Sequence, residues 1–387
     1  MKIPLSAPDI TDAEIAAVTQ VLRSGRLSLG PQLEAFESAI AQYTGTKHAV
    51  GVSSGTAGLH LAIRALGLKE GDEVVLPSFT FIAAANVLRY ERITPVFVDI
   101  DHLELNLDAN LVEEAITPRT RAILAVHTFG RPAEMRSLQS IAQRHNLFLI
   151  EDACEALGAE YRGKKVGAFG DVAVFAFYPN KQITTAEGGM VVTQDSELAS
   201  RVRSLRNHGR SNSGDWLQHA EVGYNYRLSE LHAALGLAQM RRIDSILARR
   251  SEIALSYDKR FQSESALIRP LVSDHYKTIS WFVYVVRLRD EVDPSHRERI
   301  VEAMAAKGIA CGRYFPPIHL QPAFSEFGWR TGQFPVAEAL ARELLCLPLR
   351  PNLTTAEVDY VSDCVRAFFK GSTLRLHNAV SQTGGQS

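Results

Sequence analysis

The chain has 387 residues, of which 46% are hydrophobic and 22% are charged, enough for a large core and for two domains. Lysine and arginine total 42, aspartate and glutamate total 43, and the formal net charge is −1. This balance, with no long basic block, argues against a nucleic-acid-binding protein and against attraction to an anionic membrane. No apolar run approaches the roughly 20 residues that cross a bilayer.

The cysteines and the N-terminus indicate where the protein works. The four cysteines are far apart and lack the paired spacing of a metal site, and the first residues form no apolar export segment. We therefore expect a soluble protein of the reducing cytoplasm, without a metal centre.

Two helices are predicted at the start of the chain. The first begins at a capping box, Thr11 to Glu14, and ends at Gly25, and the second ends near Gly45. Apolar residues recur at helical spacing in both, and we expect them to pack without taking part in chemistry. These residues are Ile15, Val18 and Leu22 in the first helix, and Leu33, Phe36 and Ile40 in the second.

A short apolar strand over 48–52 then leads into a turn of small residues and another helix. Gly55 and Thr56 stand where that helix begins, so unpaired backbone N–H groups at its positive end could bind a phosphate. Thr56 could add a hydroxyl. An ordinary Ser/Thr helix cap explains the same residues equally well, because the motif matches neither dinucleotide nor P-loop spacing.

Strands and helices alternate from residue 72 onward. Short apolar strands between amphipathic helices predict an α/β fold, with a mostly parallel sheet covered by helices on both faces. The strands are expected at 73–76, 95–98, 122–126 and 147–150, and the helices at 81–89, 111–116 and 138–145. Ligands of such sheets bind at the carboxyl ends of the strands. Asp152, or its neighbour Glu151, follows one strand, and Phe81 follows another.

Lys181 comes just after a further strand, over 172–177, that is apolar on both faces. At the mouth of a buried sheet, desolvation can make a lysine amine available to condense with an aldehyde. Taken alone, Lys181 would more often be a solvated lysine on a turn, and Asp152 could equally be a helix cap. Together the three strand ends offer a phosphate cradle, an acid for a pyridine nitrogen and an amine for an aldehyde. These are the parts of a pyridoxal 5'-phosphate (PLP) site.

The same residues resemble the DegT-type (DegT/StrS) sugar aminotransferases, PLP enzymes of the fold-type-I aspartate aminotransferase class. The resemblance extends over about residues 3–369. It is carried by the motifs Ser-Gly-Thr-Ala-Gly-Leu-His-Leu-Ala, Pro-Ser-Phe-Thr-Phe-Ile-Ala, Glu-Asp-Ala-Cys-Glu-Ala-Leu-Gly-Ala, Phe-Tyr-Pro-Asn-Lys and Gly-Tyr-Asn-Tyr-Arg-Leu-Ser-Glu.

The resemblance implies a role for each matching residue. Lys181 would bond the cofactor aldehyde, Asp152 would pair with the ring nitrogen, and Phe81 would stack on the ring. Gly55 and Thr56 would bind the phosphate. Asn225 would reach the phosphate in the partner subunit, so the resemblance also implies a homodimer with shared active sites.

Two positions depart from the commoner family pattern. Five residues before the lysine many relatives have a serine that bonds the phosphate, whereas this chain has Ala176. Three residues after the aspartate many have Gln or His, whereas this chain has Glu155. Because an ionised Glu155 would repel the phenolic oxygen of the cofactor, it should be protonated, pair with a cation or point away.

A smaller C-terminal α+β domain is expected after a long helical stretch over 229–257. We place a PLP-binding domain at 1–250, the smaller domain at 251–370 and a tail without fold at 371–387. The arginine pairs at 241–242 and 249–250 are interpreted as a solvated or subunit-facing surface. By the resemblance, a later loop lies near the substrate, so Tyr314 and His319 are candidate sugar contacts. Packing around a Pro-Pro turn explains both equally well.

The predicted function is transfer of an amino group, which the resemblance suggests comes from L-glutamate, to a nucleotide-linked keto-deoxysugar in amino-sugar biosynthesis for a polysaccharide or a glycosylated metabolite. An aminotransferase acting on a free cyclic ketone, such as a keto-inositol, is the alternative enzyme. A regulatory protein that binds PLP without catalysis is the alternative from another class. The presence of Lys181 disfavours the related sugar dehydratases, which have histidine there.

Overall fold

The structure, a computed structural model, describes residues 2–210, 218–270, 275–289 and 295–383, with side chains as far as Lys370. The helices are α1 (Asp12–Ser24), α2 (Pro31–Thr44), α3 (Gly55–Ala65), α4 (Ala83–Tyr90), α5 (Ala109–Val112), α6 (Met135–His145), α7 (Ser196–Leu205), α8 (Glu230–Met240), α9 (Ile243–Arg260), α10 (His296–Ala306), α11 (Pro335–Glu343) and α12 (Thr355–Thr383). The strands are β1 (His48–Val52), β2 (Glu73–Pro77), β3 (Thr94–Val98), β4 (Thr120–Val126), β5 (Phe148–Asp152), β6 (Glu160–Tyr161), β7 (Lys164–Lys165), β8 (Val172–Ala176), β9 (Gly189–Thr193), β10 (Leu267–Ile268), β11 (Lys277–Thr278), β12 (Tyr284–Leu288) and β13 (Leu344–Leu347).

A seven-stranded sheet forms the centre of the fold, in the order β1-β9-β8-β5-β4-β2-β3. The pairs from β8 to β3 are all parallel, whereas β9 runs antiparallel to both of its neighbours, β8 and β1. The predicted α/β fold with a mostly parallel sheet is confirmed. Because β1 and β8 are both antiparallel to β9, they run in the same direction and end at the same edge of the sheet.

Both faces of the sheet are covered by helices, which explains why its strands are apolar at successive positions. In β2, Val74 and Leu76 pack into a cluster with residues of α3 and α4, whereas Val75 packs into another cluster with residues of α6. Alternate residues of a strand point to opposite faces. A strand buried on both faces therefore needs an apolar residue at every position, as the sequence pattern predicted.

A second sheet, β10-β12-β13, is antiparallel and has its own cluster of buried side chains. This cluster includes residues of α9, α10 and α12, together with Ile3 from the start of the chain. A third small sheet joins β11 to β6 and β7. The extra antiparallel strands agree with the expected α+β part, while the domain bounds themselves stay predictions.

The capping box of α1 is present, but the apolar stripe of that helix differs from the expectation. Thr11 accepts a hydrogen bond from the backbone of Ala13, and Gly25 ends the helix in the left-handed region. Ile15 and Leu22, predicted to pack, are 58% and 57% exposed. Within the described residues, the apolar face of α1 is therefore left largely uncovered.

The predicted long helix over 229–257 is two helices, α8 and α9, separated at Arg241 and Arg242. The interpretation of the two arginine pairs as a solvated or subunit-facing surface is wrong for Arg250, and Arg242 is partly enclosed by ion pairs. Arg242 donates to Asp9 at 2.6 Å and to Glu14 at 2.9 Å, and Arg250 is only 1% exposed. Charge in the sequence could not indicate burial, because the partners of both arginines come from distant segments.

The last helix is longer than the sequence predicted. Helix α12 continues to Thr383, into the segment predicted to be a tail without fold, and residues 384–387 lie outside the described part. No helix in the described ranges combines the length and apolar character needed to cross a membrane. The described residues also contain no group of His, Cys, Asp or Glu able to hold a metal ion.

The buried carboxylate Glu14 should make folding depend on pH. Burial alone would raise the pKa of Glu14, but hydrogen bonds from Thr11, Arg242 and Gln239 lower that pKa to about 2. An acid whose pKa falls on folding stabilises the folded state above its unfolded pKa, and this contribution disappears as the pH drops toward the folded pKa. We expect the free energy of unfolding of Glu14→Gln, measured with urea, to fall less steeply on acidification than that of the wild type. Glu34→Gln, at an exposed acid of α2, is the control and should keep the wild-type slope.

Candidate active site

Four strand ends bring the predicted site residues to one edge of the sheet. β1 leads to Gly55 and Thr56 at the start of α3, and β2 is followed by Phe81. β5 ends at Asp152, and β8 is followed by the turn that contains Lys181. These strands share one direction, so the expected gathering at their carboxyl ends follows from the sheet order.

The Lys181 amine lies in a partly enclosed place with a carboxylate on one side and an aromatic ring on another. Its Nζ donates to Glu155 Oε1 at 3.3 Å and lies 4.4 Å from the centre of the Phe282 ring. The side chains of Lys181 and Glu155 are 15% and 10% exposed. The amine therefore has a fixed orientation and keeps a narrow opening to solvent.

Glu155 is held from two sides. Its Oε2 accepts the backbone N–H of Phe129 at 2.9 Å, while its Oε1 accepts from Lys181. Burial raises the pKa of Glu155, and the neighbouring Asp152 adds to this, while Lys181 and the Phe129 N–H oppose it; the net shift is upward. Of the three possibilities for Glu155, the structure shows a contact with a cation, Lys181, and the raised pKa also agrees with a protonated Glu155.

The Phe129 backbone is strained to make this contact. Its φ is 55°, in the left-handed region that costs a residue with a side chain of order 1–3 kcal/mol. The next residue, Gly130, has φ 82°, and a Cβ there would lie 1.8 Å from the carbonyl oxygen of Ser280. Only glycine permits that approach, which brings the segment around Ser280 against the site.

Asp152 and Glu151 differ in how far their carboxylates are enclosed by hydrogen-bond donors. Glu151 is fully buried and accepts from His127 Nε2 at 3.0 Å and from the backbone of Gly167, Phe169 and Gly170. Asp152 Oδ1 accepts the N–H of Cys154 at 3.1 Å, and the Cys154 thiol is a second hydrogen-bonding neighbour of this carboxylate. Because successive strand residues face opposite ways, Asp152 stays the predicted acid for the ring nitrogen, while Glu151 points to the other face of the sheet.

Cys154 shows how closely these groups are gathered. Burial raises the pKa of its thiol well above the usual range, and the negative charge of Asp152 raises it further. Lys181 and Glu155 also act on the same thiol. A Cβ on Gly55 would lie 3.0 Å from the Cys154 sulfur, so the start of α3 reaches the same cluster.

The start of α3 has the geometry of an anion site. Ser54 caps the helix by accepting from Ala57, and the N–H groups of Gly55 and Thr56 lie in the first turn, where a helix offers no acceptor of its own. A Cβ at Gly55 would also lie 2.7 Å from the Ala176 Cβ. The departure from serine at Ala176 therefore falls directly beside this turn.

Phe81 and Asn225 are both exposed, in different settings. The Phe81 side chain is 60% exposed at the edge where β2 ends, which leaves its ring open to a planar ligand. Asn225 pairs with Asn207 through the backbone, and the neighbouring Tyr226 carbonyl accepts from Ser53. In the described chain, Asn225 forms no hydrogen bond with the other predicted site residues.

The two candidate sugar contacts, Tyr314 and His319, lie in different surroundings. Tyr314 packs beside Phe282 and Phe129, with ring centres 6.4 Å from each. Burial and the nearby acidic groups of Cys346 and Glu155 raise the pKa of Tyr314 to about 12, so its phenol is neutral near pH 7. Tyr314 thus lies beside the Lys181 site and stays a candidate.

His319 does not face this site. It is 2% exposed, its Nδ1 lies 2.5 Å from the Ser78 hydroxyl, and its Nε2 lies 3.1 Å from Glu338 Oε1. Burial lowers the pKa of His319, so the ring is neutral, donates to the Glu338 carboxylate and accepts from Ser78. Because both nitrogens are occupied, the packing interpretation of His319 replaces the expected sugar contact.

The chain's relatives identify its family. The sequence profile of the DegT/DnrJ/EryC1/StrS aminotransferase family matches residues 8–366. The chain is a member of this family. The GDP-perosamine synthase of Caulobacter vibrioides is 40% identical to this aminotransferase, over 93% of this chain and 96% of that protein. The dTDP-3-amino-3,4,6-trideoxy-alpha-D-glucose transaminase of Streptomyces venezuelae is 41% identical, over 91% and 90%.

A solved structure gives the same result for the fold of this DegT/StrS-type aminotransferase. The PLP form of Spr1654 from Streptococcus pneumoniae superimposes with a TM-score of 0.92 at 30% identity. The match covers 96% of this chain and 99% of that one. The predicted family and the predicted enzyme class are thereby confirmed.

Three residues of the aminotransferase that sequence reasoning did not single out surround Lys181. Phe282 supports the amine, Gln182 joins the carbonyl oxygens of Glu155 and Ser280, and Arg250 donates to the Lys181 carbonyl at 2.9 Å. Phe282 lies in an apolar run that resembles any buried strand, and Arg250 in a charged helix. Neither pattern indicates which distant segment the residue will contact.

The enclosed pair of Lys181 and Glu155 should be coupled more strongly than an exposed pair. We expect a double-mutant cycle with Lys181→Met and Glu155→Gln, on cofactor-free protein, to give a coupling free energy of about 1–3 kcal/mol from urea unfolding. The control is the cycle at Lys165 and Glu160, which are 3.0 Å apart and 26% and 34% exposed. Exposed pairs contribute about 0–1 kcal/mol. Equal coupling in the two cycles would show that enclosure does not strengthen the contact.

Proposed function

We propose that this aminotransferase uses PLP to move an amino group from L-glutamate to a nucleotide-linked keto-deoxysugar in amino-sugar biosynthesis. The observation that carries the proposal is the arrangement at the sheet edge. The oriented Lys181 amine shares that edge with the Asp152 carboxylate, an exposed Phe81 ring and the N–H groups that begin α3. An aldehyde, a ring nitrogen, a planar ring and a phosphate each have a matching group there.

The groups present fit PLP. Lys181 would hold its aldehyde carbon, Asp152 its ring nitrogen, Phe81 one face of its ring, and Gly55 and Thr56 its phosphate. When bound, PLP supplies an electron sink that stabilises the negative charge left after the donor's α-proton departs. Ala176 offers no hydroxyl to the phosphate, so the start of α3 and Asn225 of a second subunit would have to supply more of the binding.

The residues of this chain would supply proton transfer and orientation. The Lys181 amine, once released from the aldehyde, is the base that removes the α-proton of the amino donor. Glu155 Oε1 accepts a hydrogen bond from this amine and would hold the amine in its orientation. The Phe282 ring packs against the amine from another side. Near pH 7 the neutral phenol of Tyr314 can donate a hydrogen bond to a sugar oxygen from the same side.

The nature of the acceptor is supported by the relatives. One is named for a GDP-sugar product and another for a dTDP-sugar, and both match nearly the whole chain. A nucleotide-linked keto sugar is therefore the favoured acceptor class. An acceptor without a nucleotide, such as a free cyclic ketone, is the competing possibility, and the two differ in whether activity requires the nucleotide.

The visible absorbance of the purified protein with PLP tests the chemistry. We expect the wild type to show the absorbance of amine-bound PLP and to lose it on addition of L-glutamate, because the amino group passes to the cofactor. Lys181→Ala should not show this conversion, because it lacks the base. Lys47→Ala, at an exposed lysine outside the site, is a matched control and should convert like the wild type.

The acceptor is then identified with glutamate-treated protein. Recovery of the starting absorbance with a dTDP- or GDP-linked keto-deoxysugar, but not with the free sugar, is the expected outcome. Equal recovery with a free keto-inositol would favour the alternative. A protein that never binds PLP through Lys181 would contradict the whole proposal.

We also propose a homodimer with shared active sites. Ile10, Ile15, Leu22, Leu27 and Leu29 leave apolar surface exposed around α1. Such surface is typical of a subunit contact. Asn225 is exposed as well, so its amide is available to a neighbouring subunit.

Sharing of sites can be tested by mixing two inactive variants. In a heterodimer of Lys181→Ala with Asn225→Ala, one site would combine an intact Lys181 with an intact Asn225 from the other chain. We expect transaminase activity to return when the two proteins are mixed and allowed to exchange subunits. Asn225→Ala mixed with itself is the control and should stay inactive. If native mass spectrometry detects heterodimers but activity does not return, both residues belong to the site of the same subunit.

A further inference from the structure

Arg250 of α9 is buried directly behind the turn that contains Lys181. It is 1% exposed, and its Nη2 donates to the Lys181 carbonyl oxygen at 2.9 Å. Its Nη1 lies 3.3 Å from the carbonyl oxygen of Phe282 and 3.5 Å from that of Trp281. The guanidinium therefore bridges two segments that are about one hundred residues apart in sequence.

This burial is unusual because no acid pairs directly with the charge. Within the described ranges Arg250 forms no ion pair, and its Nε is buried without a hydrogen-bond partner. Burial lowers the pKa of Arg250 to about 10, against the opposing effect of the more distant Asp9 charge, and the group is still charged at neutral pH. A buried charge whose hydrogen bonds all go to carbonyl dipoles is costly. Packing alone would be achieved at lower cost by an apolar side chain.

The two segments that Arg250 joins are those whose side chains meet at the amine. The Lys181 Nζ lies over the Phe282 ring, and Arg250 binds the backbone carbonyls of these same two residues. The next residue of the turn also joins the two segments, because Gln182 Nε2 donates to the Ser280 carbonyl at 2.9 Å. A planar guanidinium with diverging donors can reach several carbonyls at once, which a lysine ammonium cannot do in the same geometry.

We propose that Arg250 is a positioning residue for Lys181, which fixes the direction of its amine by tying the Lys181 backbone to that of Phe282. The inference rests on the proposed function only in taking Lys181 as the reacting amine. Arg250 contacts neither Glu155 nor the amine itself, so its effect passes through the backbone. Loss of this link would let the amine move by a fraction of an ångström or more, and small misplacements of reacting groups cost large factors in rate.

The chain contains a matched control on the same helix. Arg249 also donates to backbone carbonyls, those of Pro351 at 3.2 Å and Leu353 at 2.8 Å, and to Glu252. These acceptors are not part of the Lys181 site. Arg249→Met therefore removes an arginine–carbonyl link of the same kind without disturbing the turn.

The experiment compares Arg250→Lys, Arg250→Met and Arg249→Met by two measurements. The first, on cofactor-free protein, is the acylation rate of Lys181 by a small amine-reactive ester, resolved by peptide mass spectrometry against the exposed Lys47. The second is the rate at which amine-bound absorbance appears after PLP is added. In Arg250→Met we expect Lys181 labelling to rise, and PLP binding through Lys181 to slow, each by on the order of tenfold. Arg250→Lys should lie between, and Arg249→Met should match the wild type.

A faster acylation of Lys181 together with a slower bonding of PLP would indicate a positioning role for Arg250. General loosening of the structure would instead also raise the labelling of other enclosed lysines, such as Lys277. If Arg250→Met does not fold, Arg250→Lys decides, measured below its own unfolding temperature. Rates equal to those of Arg249→Met would overturn the inference. If the wild type never bonds PLP through Lys181 but labelling still depends on Arg250, the proposed function fails while the positioning role stands.

Discussion

The direction of the strands is the constraint on which the rest of the site depends. Since β1, β2, β5 and β8 run the same way, their carboxyl ends deliver an anion-binding turn, an aromatic ring, an acid and an amine to one edge. The backbone hydrogen bonds of the sheet fix those ends far more rigidly than loops could. Each functional side chain is then one or a few residues past a strand end, so small local turns complete the arrangement.

The acidic groups around Lys181 outnumber the single positive charge of its amine. One amine, Lys181, pairs with Glu155, and the charges of Lys181, Glu155 and Asp152 all act on the Cys154 thiol. Burial and the Asp152 charge favour a neutral Glu155, whereas the amine and the strained Phe129 N–H favour its anion. The Glu155 proton is thus sensitive to whatever changes the charge on Lys181.

The second part of the chain completes the site by packing against the first. Phe282 and Tyr314 come from segments after α9, and Arg250, in α9 itself, ties the Phe282 backbone to the Lys181 turn. Gly130 allows the segment at Ser280 to approach closely. The contacts between the two parts therefore bear directly on the position of the amine.

The sequence by itself determined the alternating elements, the α/β class, the family and the roles expected of Lys181, Asp152, Gly55, Thr56 and Phe81. The elements and the α/β class rest on local periodicity, whereas the family and the residue roles rest on the resemblance of short motifs, several of them at strand ends; both kinds of signal are encoded within a few positions. Only the tertiary structure decided that Glu155 pairs with Lys181, that His319 is enclosed by Ser78 and Glu338, that Ile15 and Leu22 lie exposed, and that Arg250 is buried. The physical reason is that these outcomes depend on contacts between segments far apart in the chain, and a local pattern of charge or hydrophobicity is the same whether such a partner is present or absent.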